Sequence, residues 1–462
     1  MKGKNHDKQY LFREMPIPKA YMSLTIPVVV SSVVTVIYNL ADTFFVGMIG
    51  DPAETAAVTL VYPLMLAFYA INNLFGVGTS SMISRCLGAG EEEKAKITSA
   101  FGFYGALLCS LVFSLVCTIF RTPLLNLLGA DRETFDATYR YMFWTVCLGA
   151  APAILNVVQG VMVRSEGSSL HASIGTMSGC ILNIILDPVF ILPWGLNMGA
   201  EGAGLATFIS NAAAMMYFIV LGICKRGKTC ISMDPRKLSK LNRNVVSGVL
   251  CVGLPASFQN IVNVLGTAIL NNFAAAYNAM AVAAMGIASK LHHVYFQISM
   301  GAGQGIMPLV GYNYTSGNRT RMKKSILFSF CITIPMGLAV SLGYWFGAPQ
   351  LTELFIRNDQ IVSYGTRFLR AMVFSMVPMT VDFTTLGVFQ ALGLGKYSLL
   401  YAVLRKVVME IPLLFLFNKI WPLYGLPYAQ VVSECVLAII SIIMLRRIFR
   451  RSPDLDSTKL SE

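Results

Sequence analysis

The chain has 462 residues, 55% hydrophobic and only 13% charged, with a mean hydropathy of +0.63. Soluble domains carry about 25% charged residues, so this composition excludes an ordinary soluble enzyme and points to a polytopic membrane protein. The net charge of +13 is dispersed between apolar stretches, which excludes a nucleic-acid-binding surface as its meaning.

Charge clusters and Gly/Pro turns cut the chain into twelve apolar segments. They run over 22–47, 55–82, 98–120, 138–163, 171–194, 202–224, 245–274, 280–310, 325–347, 362–392, 397–419 and 424–446. Each is near or above the ~20 residues that a spanning helix needs. The first is too long for a signal-peptide core, contains Asp42 and lacks a small-residue cleavage site, so it reads as a span. The ten cysteines are scattered through apolar sequence with no Cys-x-x-Cys pair, which suggests neither a metal knuckle nor a disulfide framework. With both termini inside, most of the 36 lysines and arginines fall in inside segments, the bias that sets orientation. The runs Lys225 to Lys228 and Arg446 to Arg451 then read as topology signals and lipid-headgroup anchors.

The two halves repeat one another. Thr25-Ile26-Pro27 opens the first span and Gly253-Leu254-Pro255 the seventh. Gly76-Val77-Gly78 pairs with Gly301-Ala302-Gly303, and Lys94-Ala95-Lys96 with Arg319-Thr320-Arg321. The pairs continue with Arg164 to Gly167 against Gln390 to Gly393, and Gly202 to Ser210 against Gly425 to Ser433. All five occur in order at a nearly constant offset of about 225 residues. Six spans per half make the halves parallel, an arrangement found in transporters that bind near the midplane and rock one repeat against the other. The expected organisation is an N-terminal lobe (1–224), a basic inter-lobe linker (225–244), a C-terminal lobe (245–450) and a polar tail (451–462).

Two carboxylates of the first half lie deep in apolar sequence. Asp187 sits in Asn183-Ile-Ile-Leu-Asp187-Pro188, with Asn183 on the same helix face four residues earlier, and Asp42 follows Tyr38 by the same spacing. A carboxylate at such depth costs roughly 2.5–3.5 kcal/mol on insertion scales, so it needs a partner, a proton or a wet cavity. Asp187 would alternatively serve as a buried cap for backbone freed by Pro188. At the repeat offsets Asn183, Asp187 and Thr207 fall on Lys406, Glu410 and Gln430, Asp42 on Leu270, and Asn156 on Asp382. The Asp42–Asp187 pair therefore has no copy in the second half, where Lys406 is placed to pair with Glu410 on one helix face. Asp382 is the only acidic residue of the tenth span. Gln259, Asn260 and Asn263 are placed to line a cavity or to bond to neighbouring helices. Adjacent His292 and His293 point to different faces and make a poor metal site.

In these residues the chain resembles the multidrug and toxic compound extrusion (MATE) family. The likeness is carried by Pro27 with Asn39-Leu40-Ala41-Asp42-Thr43, Gly76 to Gly90, Gln159 to Gly167, Asn183 to Pro188 and Gly202 to Thr207. The paired Asp42 and Asp187 resemble its DinF-like branch. The resemblance implies an all-α membrane protein of 12 transmembrane helices in two pseudo-symmetric six-helix lobes set in a V. It implies a secondary transporter, not an enzyme, that exports cationic amphipathic compounds across the cytoplasmic membrane against inward H+ or Na+ flow. Asp42, Asn183, Asp187 and Thr207 would bind the coupling ion, with no other cofactor or metal. Tyr38, Asn156, Gln159, Gln259, Asn263 and Asp382 are the expected substrate-cavity residues. Gln259 stands where some relatives place an acidic residue, which favours coupling in the N-terminal lobe. The expected partners are small cationic substrates and the bilayer, the chain acting as a monomer with both termini cytoplasmic. Two other readings remain. A lipid-linked oligosaccharide flippase of the same superfamily expects several cavity arginines and lysines, of which Arg405 and Lys406 are the candidates. An intramembrane aspartyl protease expects Tyr-Asp and Gly-x-Gly-Asp, whereas alanine precedes Asp42 and leucine precedes Asp187.

Overall fold

A computed structural model describes residues 10–356 and 358–451; the tail after Arg451 lies outside the described residues. Among the described residues there is no strand. Every segment is a helix or a short connection, as an apolar solvent demands of a backbone whose N–H and C=O groups must be satisfied internally. Packing divides the chain into two units, one formed by residues 30–257 and the other by 12–29 together with 258–451. The boundary falls at 257/258, so the basic linker packs as part of the first unit.

α1 (Ile17–Gly47) carries Pro27 in its interior and passes from the second unit into the first between residues 29 and 30. α2 (Pro52–Asn72) continues through a π-helical turn (Asn73–Val77) into α3 (Gly78–Gly88). α4 (Glu92–Ile119) presents Leu108, Leu111, Val112, Leu115 and Ile119 outward at helical spacing. Such a stripe has no core to face and suits lipid. After the short α5 (Arg121–Leu127), the fourth span is broken: α6 (Phe135–Met142), a π-helical turn (Phe143–Cys147), then α7 (Ala150–Ser165). α8 (Ser169–Ile191) and α9 (Gly199–Cys224) form an antiparallel hairpin. Its return is tight. Met198 N–H donates to Phe190 O at 2.8 Å, and Asn197 and Gly199 take left-handed φ of 53° and 59°. Small residues let the two helices close. A Cβ at Gly179 would stand only 3.1 Å from that of Ala214.

The second unit repeats the pattern. α10 (Arg243–Ala275), which enters the second unit at residue 258, carries Pro255 as α1 carries Pro27. α11 (Ala279–Thr315) and α12 (Arg319–Glu353) follow. The tenth span is broken like the fourth, with α13 (Asp359–Val373) and α14 (Met376–Ala391) bent by 49°. α15 (Gly395–Val403), a π-helical turn (Leu404–Glu410) and α16 (Ile411–Ile420) make the eleventh, and α17 (Leu426–Arg451) the last.

Nine helices among the described residues are long and apolar enough to cross a membrane, or ten with the bent α13–α14 pair. The two remaining candidates of the expected twelve are α11 and the 395–420 stretch. Both are diluted by polar residues turned inward: His292 in α11, and Arg405, Lys406 and Glu410 in the π-helical turn, are all buried.

The ends of the first unit's spans are fastened by charge. Glu54 Oε2 accepts from the Ala200 N–H at 2.7 Å, capping the start of α9 from α2. Trp144 Nε1 donates to Glu201 one residue later at 3.3 Å. A carboxylate on free N–H groups at a helix start contributes about 0.5–2 kcal/mol. Glu54→Ala is therefore expected to lower the melting temperature of the detergent-purified protein, while Glu54→Gln keeps part of the cap; an unchanged melt for the alanine variant would show that Glu54 does not fasten α9.

Candidate functional site

The α8–α9 hairpin sets Asn183 and Asp187 opposite Thr207, all three buried. Asp187 is fully enclosed at 0% exposure. The Asn183 amide is oriented by its neighbours: its nitrogen donates to Asp187 Oδ2 at 2.8 Å, and its oxygen accepts from the Thr207 N–H at 3.1 Å. The i, i+4 spacing in the sequence thus becomes a direct hydrogen bond. Asp42 on α1 is half-buried and lies within electrostatic reach of Asp187. Tyr38, one turn earlier, feels both carboxylates, as does Tyr141 on α6. The four residues expected to hold the coupling ion are therefore gathered in one unit, with two carboxylates, an amide oxygen and a hydroxyl as hard oxygen donors.

The polar contacts run on from Thr207. Asn211 Nδ2 donates to the Thr207 carbonyl at 2.9 Å, and Asn156 Nδ2 on α7 donates to Asn211 Oδ1 at 2.8 Å. Asn156 also donates to the carbonyls of Pro152 and Ala153. Each donor in this column points toward the Asp187 end. Asn156, expected in the substrate cavity, is buried inside the first unit and joined to the carboxylate site. Three residues further along α7, Gln159 is also buried, and its Nε2 meets Met233 Sδ at 3.3 Å. Sequence reasoning missed Asn211, although it stands one helical turn after Thr207 on the same face.

In the second unit the equivalent positions meet in the same geometry with different chemistry. Lys406 Nζ and Glu410 Oε1 are 2.6 Å apart, the expected i, i+4 pair, where the first unit has Asn183 and Asp187. Asp382 is 1% exposed, with Oδ1 accepting from Tyr401 Oη at 2.5 Å and from Ser441 Oγ at 3.2 Å. Glu434 and Arg405 lie beside it. Arg405 is bound to Glu434, with Nε to Oε1 at 2.8 Å, and packs on the Phe383 ring at 4.7 Å. Asp382 and Glu434 occupy the repeat positions of Asn156 and Asn211, so an amide pair in one unit is an acidic pair in the other. Glu434, Tyr401 and Ser441 were not singled out in the sequence, and Arg405 was weighed there only as a candidate phosphate-binding cation. The repeat offset carried to Asn211 would have found Glu434.

Gln259 is buried and Asn263 half-buried on α10. His292 Nε2 meets Ser375 Oγ at 2.9 Å and His293 stacks on Phe296. No cluster of three or more His, Cys, Asp or Glu side chains that could hold a metal occurs among the described residues.

The MatE family model matches residues 27–189 and 255–416, once in each half. The chain belongs to the MatE family. It is 31% identical over 448 residues to the multidrug export protein MepA of Staphylococcus aureus strain MRSA252, covering 96% of each chain. Its identity to the MepA of Staphylococcus saprophyticus is 32% over 445 residues, again 96% of each. A solved multidrug resistance MATE family transporter of the MOP superfamily superimposes with a TM-score of 0.88 at 27% identity, covering 98% of both chains. The chain is thus a multi-pass membrane protein and a secondary transporter, not an enzyme.

The buried Lys406–Glu410 pair allows a direct test of what holds it. Breaking a buried ion pair on one side costs about 3–5 kcal/mol, whereas replacing both members with neutral residues is often tolerated. Lys406→Met alone should cut the yield of monodisperse protein sharply, and Lys406→Met with Glu410→Gln should restore much of it. Equal yields for the single and double variants would show that the pair carries no such coupling.

Proposed function

We propose that this transporter exports cationic amphipathic drugs or toxins in exchange for H+ or Na+, acting as a monomer. The observation that carries the reading is the Asp187 carboxylate, enclosed in an apolar helical unit and bonded to an uncharged amide rather than to a cation. A buried carboxylate with no fixed counter-ion takes up a mobile cation in its place. Asp42 supplies a second carboxylate, and Thr207 a hydroxyl from the facing helix. The two ends of the Asn183 amide are nearly the same size, so the group can turn without repacking. It presents nitrogen to an ionised Asp187, or oxygen to a carboxylic acid or a bound Na+. Ion binding then changes what Asn183 offers Thr207, and so couples α8 to α9. Any ion shifts such an equilibrium only by its differential affinity for the two states.

The substrate class follows from charge. In the second unit Arg405 is matched by Glu434 and Lys406 by Glu410, so an ionised Asp382 leaves the cluster one charge negative. An ionised Asp382 attracts a cation through the low-dielectric interior. Gln259 and Asn263, both in the second unit, are polar contacts we assign to the substrate. The same ion pairs argue against a lipid-linked oligosaccharide flippase, because both candidate phosphate-binding cations are already engaged. The names of the similar MepA exporters agree with drug export.

Drug-efflux assays in everted vesicles test this. Asp187→Asn should abolish gradient-driven efflux at normal membrane abundance, and Asp382→Asn should weaken substrate binding while keeping its pH or sodium dependence. Wild-type efflux by Asp187→Asn, or loss of ion dependence alone by Asp382→Asn, would move the coupling site out of the first unit.

The charge bias places the linker and both termini in the cytoplasm. Arg236→Cys, at an exposed linker position, should resist an impermeant maleimide applied to intact cells of a cysteine-free background and react after permeabilisation. Labelling from outside would reverse the orientation and the direction of transport.

A further inference from the structure

The basic linker does not hang between the halves as a tether. Residues 229–234 are bound along the first unit by contacts to α4 and α7. Glu166 Oε2 accepts from Thr229 Oγ1 at 2.8 Å and from the Cys230 N–H at 3.0 Å. The Ser232 N–H donates to Ser99 Oγ at 2.8 Å, and Tyr104 Oη donates to the Met233 carbonyl at 2.8 Å. Cys230 and Ile231 are buried and belong to the unit's apolar core. Beyond them Asp234 caps a short 3-10 turn (Pro235–Lys240), and Lys237 Nζ reaches Glu93 at 2.6 Å. An unstructured tether would bury neither two apolar side chains nor so many backbone groups.

The strap ends one helical turn beyond the polar column. Met233 Sδ is the partner of Gln159 Nε2, and among the described residues Gln159 Oε1 has no hydrogen-bond partner. Gln159 lies one turn along α7 from Asn156, where the chain of amides leading to Asp187 begins. An exchanger whose ion site opens along such a column to the linker side would dissipate its gradient without moving substrate.

We propose that residues 229–234 are a seal: Met233 and its strap close the linker end of the polar column, so that ions reach Asp187 only by the route substrate uses. This rests on the ion-coupling role proposed for Asp187. A thioether and two apolar side chains suit the task, since they offer water and ions no strong ligand and pack without a void. Glu166 is the positioning residue. It holds the strap by two hydrogen bonds.

The test uses the full chain in proteoliposomes, with a proton gradient and separately a sodium gradient imposed in the absence of substrate. Three variants are compared with wild type: Met233→Ala, Glu166→Gln, and a Gly/Ser replacement of Thr229, Ile231, Ser232 and Met233 that keeps Cys230. Mass-spectrometric alkylation of Cys230 by a water-soluble maleimide reports whether the strap has left its groove. Wild type should hold at least one of the gradients with Cys230 protected. The Gly/Ser variant should alkylate and leak that ion several-fold faster, with Met233→Ala and Glu166→Gln between. Adding Asp187→Asn should stop the leak. Rapid alkylation with both gradients held would overturn the seal, as would a Cys230 still protected in the Gly/Ser variant. A leak that persists with Asp187→Asn leaves the seal standing and removes Asp187 from the ion route.

Discussion

The constraint on which this molecule turns is that polar groups inside an apolar bundle must be satisfied by their own unit. Asp187 is the sharpest case. Its carboxylate is enclosed, and the protein donates to it from Asn183 rather than from an arginine or lysine. A permanent counter-ion would make the site electrostatically stable and functionally inert, because the carboxylate would have nothing to exchange. An amide offers partial satisfaction. It lowers the cost of burial while leaving a place for a proton or a small cation. The tight α8–α9 return and its small residues exist in this light to bring Asn183 and Thr207 within hydrogen-bonding range.

The second unit answers the same constraint in the opposite way. At the positions equivalent to Asn183 and Asp187 it has Lys406 and Glu410, bound to each other at 2.6 Å. At those equivalent to Asn156 and Asn211 it has Asp382 and Glu434, with Arg405 paired to Glu434. Both units therefore use one geometry, an i, i+4 pair on the fifth span and a contact between the fourth and sixth. They differ in whether charge is cancelled internally. This asymmetry is chemical rather than architectural, and it allows two copies of one fold to take different parts in a transport cycle.

Much of this was legible in the sequence because the bilayer imposes simple rules. Apolar length gave the spans, and matched prolines gave the repeat. The spacing of Asn183 and Asp187 gave a bond that the structure contains, and Lys406 with Glu410 gave another. What was not legible depended on contacts between helices far apart in the chain. The break in the fourth span includes a π-helical turn, which alters hydrogen bonding without altering composition. In the sequence Gln159 is an expected cavity residue, within the Gln159 to Gly167 stretch that carries the family resemblance. Only the fold shows it facing Met233 from a linker that its charge had marked as solvated.

That linker shows how charge and packing signals can coexist in one short stretch. Its lysines and arginines announce an aqueous side, yet Cys230, Ile231 and Met233 among them pack into the apolar core of the first unit. A purely flexible connector would gain nothing from apolar residues at its centre and would pay entropy to order them. Their burial, with the Glu166 and Ser99 contacts on either side, makes the connector part of the six-helix unit. The boundary between the units therefore falls inside α10 at residue 257, well past the basic run that first suggested it. That boundary lies two residues past Pro255, where the missing N–H interrupts the backbone ladder. The equivalent division in the first half falls between residues 29 and 30, just past Pro27. Two prolines at matched repeat positions thus stand beside two of the places where the chain passes from one unit to the other.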